Sequence, residues 1–255
     1  MSAQGRFAQI AREDGRAALV TVLEGGPQAG ARLLALPDGE SEGTLGDEAL
    51  DRVAVELADE LMWAERSELR EHDGVKLFVD VTAPAPRLIV FGAVDFAADL
   101  CRVARATGWR PFVVDPRARF ATPERFPDAE EVIVAWPQEA FDRLGGIDRA
   151  TSIAVLTHDP KLDDAALEIA LRSDAAFVGA MGSRRAQAKR RERLLEAGLT
   201  DDELARLSAP IGLDLGALSA AETALAIMAE IVALRNGREG GRLSQSAGRI
   251  HEVGA

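Results

Sequence analysis

Two glycine-containing turns and three carboxylate-bearing loops hold the residue types that could do chemistry in this chain. Gly179-Ala180-Met181-Gly182-Ser183-Arg184-Arg185 joins an apolar run to the start of a basic helix. Free backbone N–H groups and the helix dipole at such a junction favour an anion, and glycines let the backbone approach it. Ser183, Arg184 and Arg185 add donors. The same residues also read as a tight turn with Ser183 as N-cap, followed by a solvated basic face through Lys189, Arg190, Arg191 and Arg193. Thr157-His158-Asp159-Pro160 follows another apolar run. There His158 could titrate near neutrality, and Asp159 could accept hydrogen bonds or hold a hard cation. A plain turn at Asp159-Pro160, with His158 packed, is the alternative. Asp115-Pro116-Arg117 could hold a ribose through the carboxylate or a phosphate through the guanidinium. Asp214 sits in the apolar loop Pro210–Gly216, facing the same crevice or lying in a short final strand.

The elements that position these groups follow from hydrophobic periodicity. Leu88-Ile89-Val90-Phe91 is a continuous apolar run, as expected of a strand buried on both faces of a parallel sheet. It breaks at Gly92. Asp95 then stands where an N-cap would open a helix to about Thr107, with Phe96, Leu100, Val103 and Ala104 on one face. Pro111–Asp115 is the next strand, so an acidic residue closes it about twenty residues past the first turn, the Rossmann arrangement. The glycine fingerprint is broken, because Val94 stands where the second glycine belongs. Further strands are predicted at Glu131–Ala135, Ser152–Thr157 and Ala176–Ala180. Helices are predicted over Asp164–Arg172, Ser183–Ala197, a short stretch from the capping box at Thr200, and Ser219 to about Arg235. Alternating strands and helices give a doubly wound parallel sheet.

Before this, residues 1 to 84 read as a smaller α+β unit. Strands at Ala18–Leu23, Ala31–Leu36 and Lys76–Val81 flank a helix opened by Asp47, with Leu50, Val53, Leu57 and Leu61 on one face. Asp38-Gly39 is a hairpin signal. The prolines of Thr82–Pro86 favour an extended connector, which sets a boundary between residues 84 and 87. The second domain then runs over 87–236, and residues 237–255 read as a mobile tail.

Composition narrows the function. A formal net charge of −12 argues against generic nucleic-acid binding. No run approaches the roughly 18 apolar residues of a membrane span. The N-terminus lacks a signal-peptide pattern, so the cytoplasm is the expected compartment. Cys101 is the single cysteine and there are three histidines, so neither a thiolate cluster nor a multi-histidine zinc site is expected.

Several of these stretches together resemble the XdhC/CoxI family, accessory proteins of molybdenum hydroxylases such as xanthine dehydrogenase and carbon monoxide dehydrogenase. They are Phe91-Gly92-Ala93, Phe120-Ala121-Thr122 with Arg125-Phe126-Pro127, Leu156–Lys161, Val178–Arg185 and Pro210–Asp214, in the family's order. A looser likeness covers Gly30–Leu34 and Gly43–Gly46. The resemblance implies an α/β protein, a C-terminal Rossmann-like domain behind a small α+β domain. It would bind the molybdenum cofactor as cargo, assist its sulfuration and help insert it, acting as a chaperone and not an enzyme. Its implied partners are an apo-hydroxylase, a cysteine desulfurase and a second copy of itself. Gly92, Asp95, Asp115, His158, Asp159, Gly179, Gly182, Ser183, Arg184, Arg185 and Asp214 are the expected cofactor-binding residues, and no metal site is expected. Two departures stand out. The family's usual Gly-Ala-Gly-His-Val turn is Gly92-Ala93-Val94-Asp95-Phe96 here. The cysteine often found after paired glycines in the small domain is replaced, since Asp47 and Glu48 follow Gly46.

Two other classes compete. An NAD(P)-dependent oxidoreductase is suggested by Gly92, Asp115 and the fold. Against it, Val94 fills the space a pyrophosphate needs and resists positive φ. Asp95 would also repel that pyrophosphate by about 1 kcal/mol or more, and the chain has no tyrosine. A non-catalytic interaction scaffold is suggested by the basic helix.

Overall fold

A computed structural model of the chain describes residues 2–245. Of the stretch expected to be a mobile tail, residues 246–255 lie outside that range, and Leu243–Gln245 forms a 3-10 turn. The chain divides into two compact units. Among the described residues, one is 2–84 together with 242–245, and the other is Ala85–Gly241.

In the first unit, helix α1 (Ala3–Arg12) precedes strands β1 (Ala17–Glu24), β2 (Arg32–Ala35) and β3 (Ser41–Thr44). Helix α2 (Glu48–Ala64) and strands β4 (Glu68–His72) and β5 (Val75–Thr82) complete it. The strands form an antiparallel sheet in the order β3-β2-β1-β5-β4. Alternation along β1 sends Ala18, Val20 and Val22 into one core and Ala17 and Leu19 into another, where Phe7 and Ile10 of α1 pack. Asp47 caps α2 by accepting from the Leu50 N–H at 2.9 Å. The predicted buried face of α2 needs correction. Leu50, Ala54, Ala58, Leu61 and Met62 are its buried residues, while Val53 and Leu57 are half-buried. Two alanines let the helix axis approach the sheet, which turns the larger Val53 and Leu57 toward its margins.

The second unit contains β6 (Arg87–Phe91), α3 (Asp95–Ala106), β7 (Arg110–Val114), β8 (Glu131–Ile133) and α4 (Pro137–Arg143). It continues with β9 (Thr151–Val155), α5 (Pro160–Leu171), β10 (Phe177–Ala180) and α6 (Arg184–Glu196). Helix α7 (Asp201–Ala205), β11 (Leu207–Ser208) and α8 (Ala220–Arg235) close it. The sheet is parallel throughout, in the order β11-β10-β9-β6-β7-β8. This is the Rossmann order, with the reversal between β6 and β9. Leu88, Ile89, Val90 and Phe91 are all fully buried. Ile89 and Phe91 face the layer of α4, α5 and α6, while Leu88 and Val90 face α3 and α8. The reversal opens a crevice outside the carboxyl ends of β6 and β9, where the loops of interest converge. No described helix is long and apolar enough to cross a membrane.

Candidate functional site: a crevice at the strand-order reversal

The turn after β6 is closed on itself. Gly92 has φ +113°, and a Cβ there would lie 2.2 Å from the Thr157 Cγ2 methyl. A glycine is required because the loop after β9 packs against it. The Gly92 N–H donates to the Val114 carbonyl at 2.9 Å, and the Ala93 N–H to Asp115 Oδ2 at 2.9 Å. Asp115 is fully buried. It also accepts from the Arg117 backbone N–H at 2.9 Å and from that residue's guanidinium, Nε to Oδ1 at 2.8 Å and Nη2 to Oδ2 at 2.7 Å. Burial alone would raise the Asp115 carboxyl, but the Arg117 guanidinium and the two N–H donors more than offset it and hold it below the ordinary carboxylate value. The two sequence alternatives, a ribose on the carboxylate or a phosphate on Arg117, thus meet a pair in which each group is already the other's partner. Phe120 stacks under Arg117 and Arg119, with guanidinium carbons 5.0 and 4.4 Å from the ring centre.

Asp95 is not the N-cap of α3. Val94 holds that position, with extended backbone and no side-chain capping bond, and Asp95 is the first helical residue. Its carboxylate is 93% exposed and accepts from Arg125 Nη2 at 3.0 Å. There it complements the helix dipole. Arg125 Nη1 ties the turn to the next loop by donating to the Ala93 and Phe120 carbonyls at 3.0 and 2.9 Å. The sequence marks this arginine only through the Arg125-Phe126-Pro127 stretch of the family resemblance, which does not show what it binds.

Across the crevice, Thr157 is buried, His158 is exposed and Asp159 is half-buried. Asp159 caps α5 by accepting from the Lys161 N–H at 3.1 Å, and its own N–H donates to Thr157 Oγ1 at 3.1 Å. The Arg117 guanidinium is held above its ordinary range first by its hydrogen bonds to Asp115, then by the charges of Asp115, Asp159 and Asp163. Gly179 lies inside β10, and Ile211 Cδ1 stands 2.5 Å from where its Cβ would be, so its smallness serves packing. Gly182, at φ +139°, makes the bend into α6. Ser183 is the N-cap, accepting from the Ala186 N–H at 3.2 Å. The Gly182 and Ser183 N–H groups have no protein acceptor among the described residues.

The six basic residues of α6 divide into two sets. Arg190 is buried against Asp163 at 2.9 Å, Arg193 Nη2 donates to Asp164 Oδ1 at 2.9 Å, and Arg191 pairs with Asp201. Arg184, Arg185 and Lys189 are exposed and make no ion pair among the described residues. Arg190 is therefore not part of the solvated face on which the sequence places it, and Asp163 and Gln187 join it without any motif to mark them. The available signal is register, since Ala186, Arg190 and Leu194 repeat every four residues, and Asp163 shares a face with Leu167 and Ala170. A charge on an apolar stripe implies a buried partner. Asp214 is exposed, without an ion pair among the described residues, three positions beyond Ile211, whose N–H donates to the Ala180 carbonyl at 3.1 Å. That loop is anchored to α8 by Glu230, which accepts from Gly212 N–H at 2.6 Å and from Ser208. Among the described residues no group of three or more His, Cys, Asp or Glu could hold a metal ion. Burial, helped by the charge of Asp128, pushes the Cys101 thiol up to about 12, so it stays a neutral core residue.

A family model described as the XdhC Rossmann domain matches residues 88–231, and one described as the XdhC and CoxI family matches residues 10–73. The chain belongs to the XdhC family. Across 231 residues it is 26% identical to an uncharacterized protein, YqeB, of Escherichia coli K12, covering 84% of this chain and 42% of that one. It is 29% identical over 159 residues to a probable xanthine dehydrogenase subunit of Bacillus subtilis 168, covering 62% and 46% of the two. It is 26% identical over 152 residues to the molybdenum cofactor insertion chaperone PaoD of E. coli K12, covering 60% and 41%. The chain thus spans less than half the length of these curated relatives. A crystal structure of a xanthine dehydrogenase from Bacillus halodurans shares the fold, with a TM-score of 0.62 at 24% identity over 92% of this chain and 66% of that one. In this XdhC-family chain, Val94 and Asp95 lie within the Rossmann match, and their turn is the one closed by Asp115, Arg117 and Arg125.

Proposed function

We propose that this chain is an accessory factor that binds the molybdenum cofactor as cargo and passes it to an apo-hydroxylase, without turning over a substrate itself. One observation carries the reading. The turn after β6 has its Gly92 and Ala93 N–H groups, its carboxylate and its arginines engaged within the protein and carries the exposed Asp95 carboxylate at the start of α3, whereas the loop after β10 offers the Gly182 and Ser183 N–H groups, without an acceptor among the described residues, beside the cations Arg184 and Arg185. A ligand with one phosphate and a planar, hydrogen-bonding body suits that division: the phosphate sits on the open loop and the body lies over the closed one. His158, Asp159 and Asp214 are the remaining polar groups assigned to its edge. In this reading the protein works in the cytoplasm as a homodimer, with a cysteine desulfurase supplying sulfur. Pterin release and fluorescence on protein isolated from a cofactor-producing host provide the test. Near-stoichiometric pterin, with stimulation of an apo-hydroxylase, is expected. Background pterin and no stimulation would remove the reading.

A nicotinamide oxidoreductase is a weaker fit. The Ala93 N–H and the Asp115 carboxylate, the groups such a site would direct at pyrophosphate and ribose, already bind each other. Calorimetry with NAD(H) and NADP(H) should show no micromolar binding. The scaffold reading draws on a basic helix of which half the charge is paired internally.

A further inference from the structure

The loops after β9 and β10 are joined beneath the crevice by side chains. Thr157 Oγ1 accepts the Asp159 N–H and donates to Asp163 Oδ1. The other Asp163 oxygen accepts from Arg190 Nη2 at 2.9 Å. Arg190 Nη1 then donates to the Met181 carbonyl at 3.2 Å and to Gln187 Oε1, and Gln187 Nε2 reaches the Ala180 and Gly182 carbonyls at 3.2 and 3.4 Å. Asp163 and Arg190 are 1% and 4% exposed. Desolvation offsets most of what such an ion pair contributes to net stability, and an apolar pair of the same volume would fill the space as well. What the charged pair adds is direction: although Arg190 Nε makes no hydrogen bond, the two Nη atoms and both Asp163 oxygens hold their partners at fixed angles, in a chain that runs from one loop to the other.

We propose that Asp163 and Arg190, with Thr157 and Gln187, are positioning residues that lock the His158–Asp159 loop and the Gly182–Arg185 loop into one unit. The network draws three successive carbonyls, of Ala180, Met181 and Gly182, toward α6. A negative carbonyl edge is thereby held back from the place where an anion would sit, and the Gly182 and Ser183 N–H groups remain available. The purpose rests on the cargo-binding reading, whereas the mechanical coupling rests on the network alone.

Amide hydrogen exchange by NMR on the full chain separates these two layers. Thr157→Val keeps the methyl that packs on Gly92 and removes only the hydroxyl. It should accelerate exchange at Met181, Ala186 and Gln187, on the opposite loop and helix, by about tenfold or more. The β6 amides report whatever global stability the lost hydroxyl costs, so the acceleration at those three sites should exceed theirs by about tenfold or more. Arg190→Met should accelerate Lys161 and Asp159 in return, and Thr157→Ser should restore the wild-type pattern. If Arg190→Met does not fold, Thr157→Val and Thr157→Ser decide alone. Acceleration confined to the loop carrying the substitution would overturn the coupling. A parallel titration with inorganic phosphate follows the Gly182 and Ser183 resonances. Wild-type shifts there that weaken in Thr157→Val support the purpose assigned to the network. No shift in the wild type would remove the anion site, while the exchange data still decide the coupling.

Discussion

The turns after β6 and β10 both join a parallel strand to the start of a helix at the carboxyl edge of one sheet, yet they are built on opposite principles. Both follow four consecutive buried strand residues and both bend at a glycine with positive φ. After β6, the carboxylate of Asp115 collects the Ala93 and Arg117 N–H groups and the Arg117 guanidinium, and Arg125 collects the carbonyls. The outermost charge is a carboxylate, Asp95. After β10 the arrangement inverts. Carbonyls are gathered inward by Gln187 and Arg190, and the outermost charges are the cations Arg184 and Arg185. A place at the carboxyl edge of the sheet therefore does not make two turns alike. What separates them is which backbone groups the neighbouring side chains have engaged and the sign of the charge each turn exposes.

The largest effect is expected beneath the open turn. Asp163→Ala leaves the Arg190 guanidinium buried without its counter-charge and should lower unfolding free energy by about 3–5 kcal/mol in urea titrations. A loss below about 1 kcal/mol would mean that water reaches Arg190. Gly92→Ala acts on the closed turn through sterics alone. Its methyl would meet Thr157 Cγ2, and the positive φ adds strain, so a loss of about 2–3 kcal/mol is expected in the same measurement. Next comes the double change Arg184→Ala with Arg185→Ala. It touches no internal bond, so thermal stability should hold while affinity for a phosphate-bearing pterin falls by about 10–100-fold. Unchanged affinity would move the anion site elsewhere.

The closed turn has its own pH signature. The Asp115 carboxyl titrates below the ordinary carboxylate value in the folded chain. The unfolded state therefore binds the proton first, so the carboxylate's contribution is fully present above the ordinary carboxylate value and is lost as pH falls through the folded one. Asp115→Asn should cost about 1–2 kcal/mol near neutrality, from weakened bonds to Ala93 and Arg117. The gap to wild type should then narrow as denaturation is repeated below about pH 4. A gap that stays constant over that range would show that the Arg117 pair is not the source of the depression.

Much of the parallel sheet was legible because its strands are buried on both faces and so appear as uninterrupted apolar runs, as at Leu88–Phe91. Strand β4, Glu-Leu-Arg-Glu-His, was not, since an edge strand carries charge on its open side. Helix α1 was missed for a related reason: Phe7 and Ile10 are too few to set a period. Within the site, sequence located the loops but not their bonding. Asp115 and Arg117 appeared as alternative ligand contacts because a sequence cannot show that two residues two positions apart satisfy each other. Arg190 was hidden in what reads as a solvated basic face, and its partner Asp163, 27 residues away in α5, carries no motif.

The smallest effect tests the contrast between the turns most directly. Val94→Gly restores the glycine that a dinucleotide turn needs and removes the branched side chain. If backbone access alone separated the two turns, this change would create NAD binding. The present geometry predicts that it does not. Val94 makes no capping bond that would be lost but packs half-buried against the core beside α3, so stability should fall by about 1–2 kcal/mol from added backbone freedom and lost apolar contact. The obstacles remain in place, because the Ala93 N–H still belongs to Asp115 and the Asp95 carboxylate still stands at the start of α3. Calorimetry of the single variant should detect no micromolar NAD(H) binding, and Val94→Gly with Asp95→Asn should gain only the relief of one repulsion, on the order of 1 kcal/mol. Micromolar affinity in the single variant would show that the bonds around Asp115 reorganise on demand, and that the closed turn is closed only by a side chain.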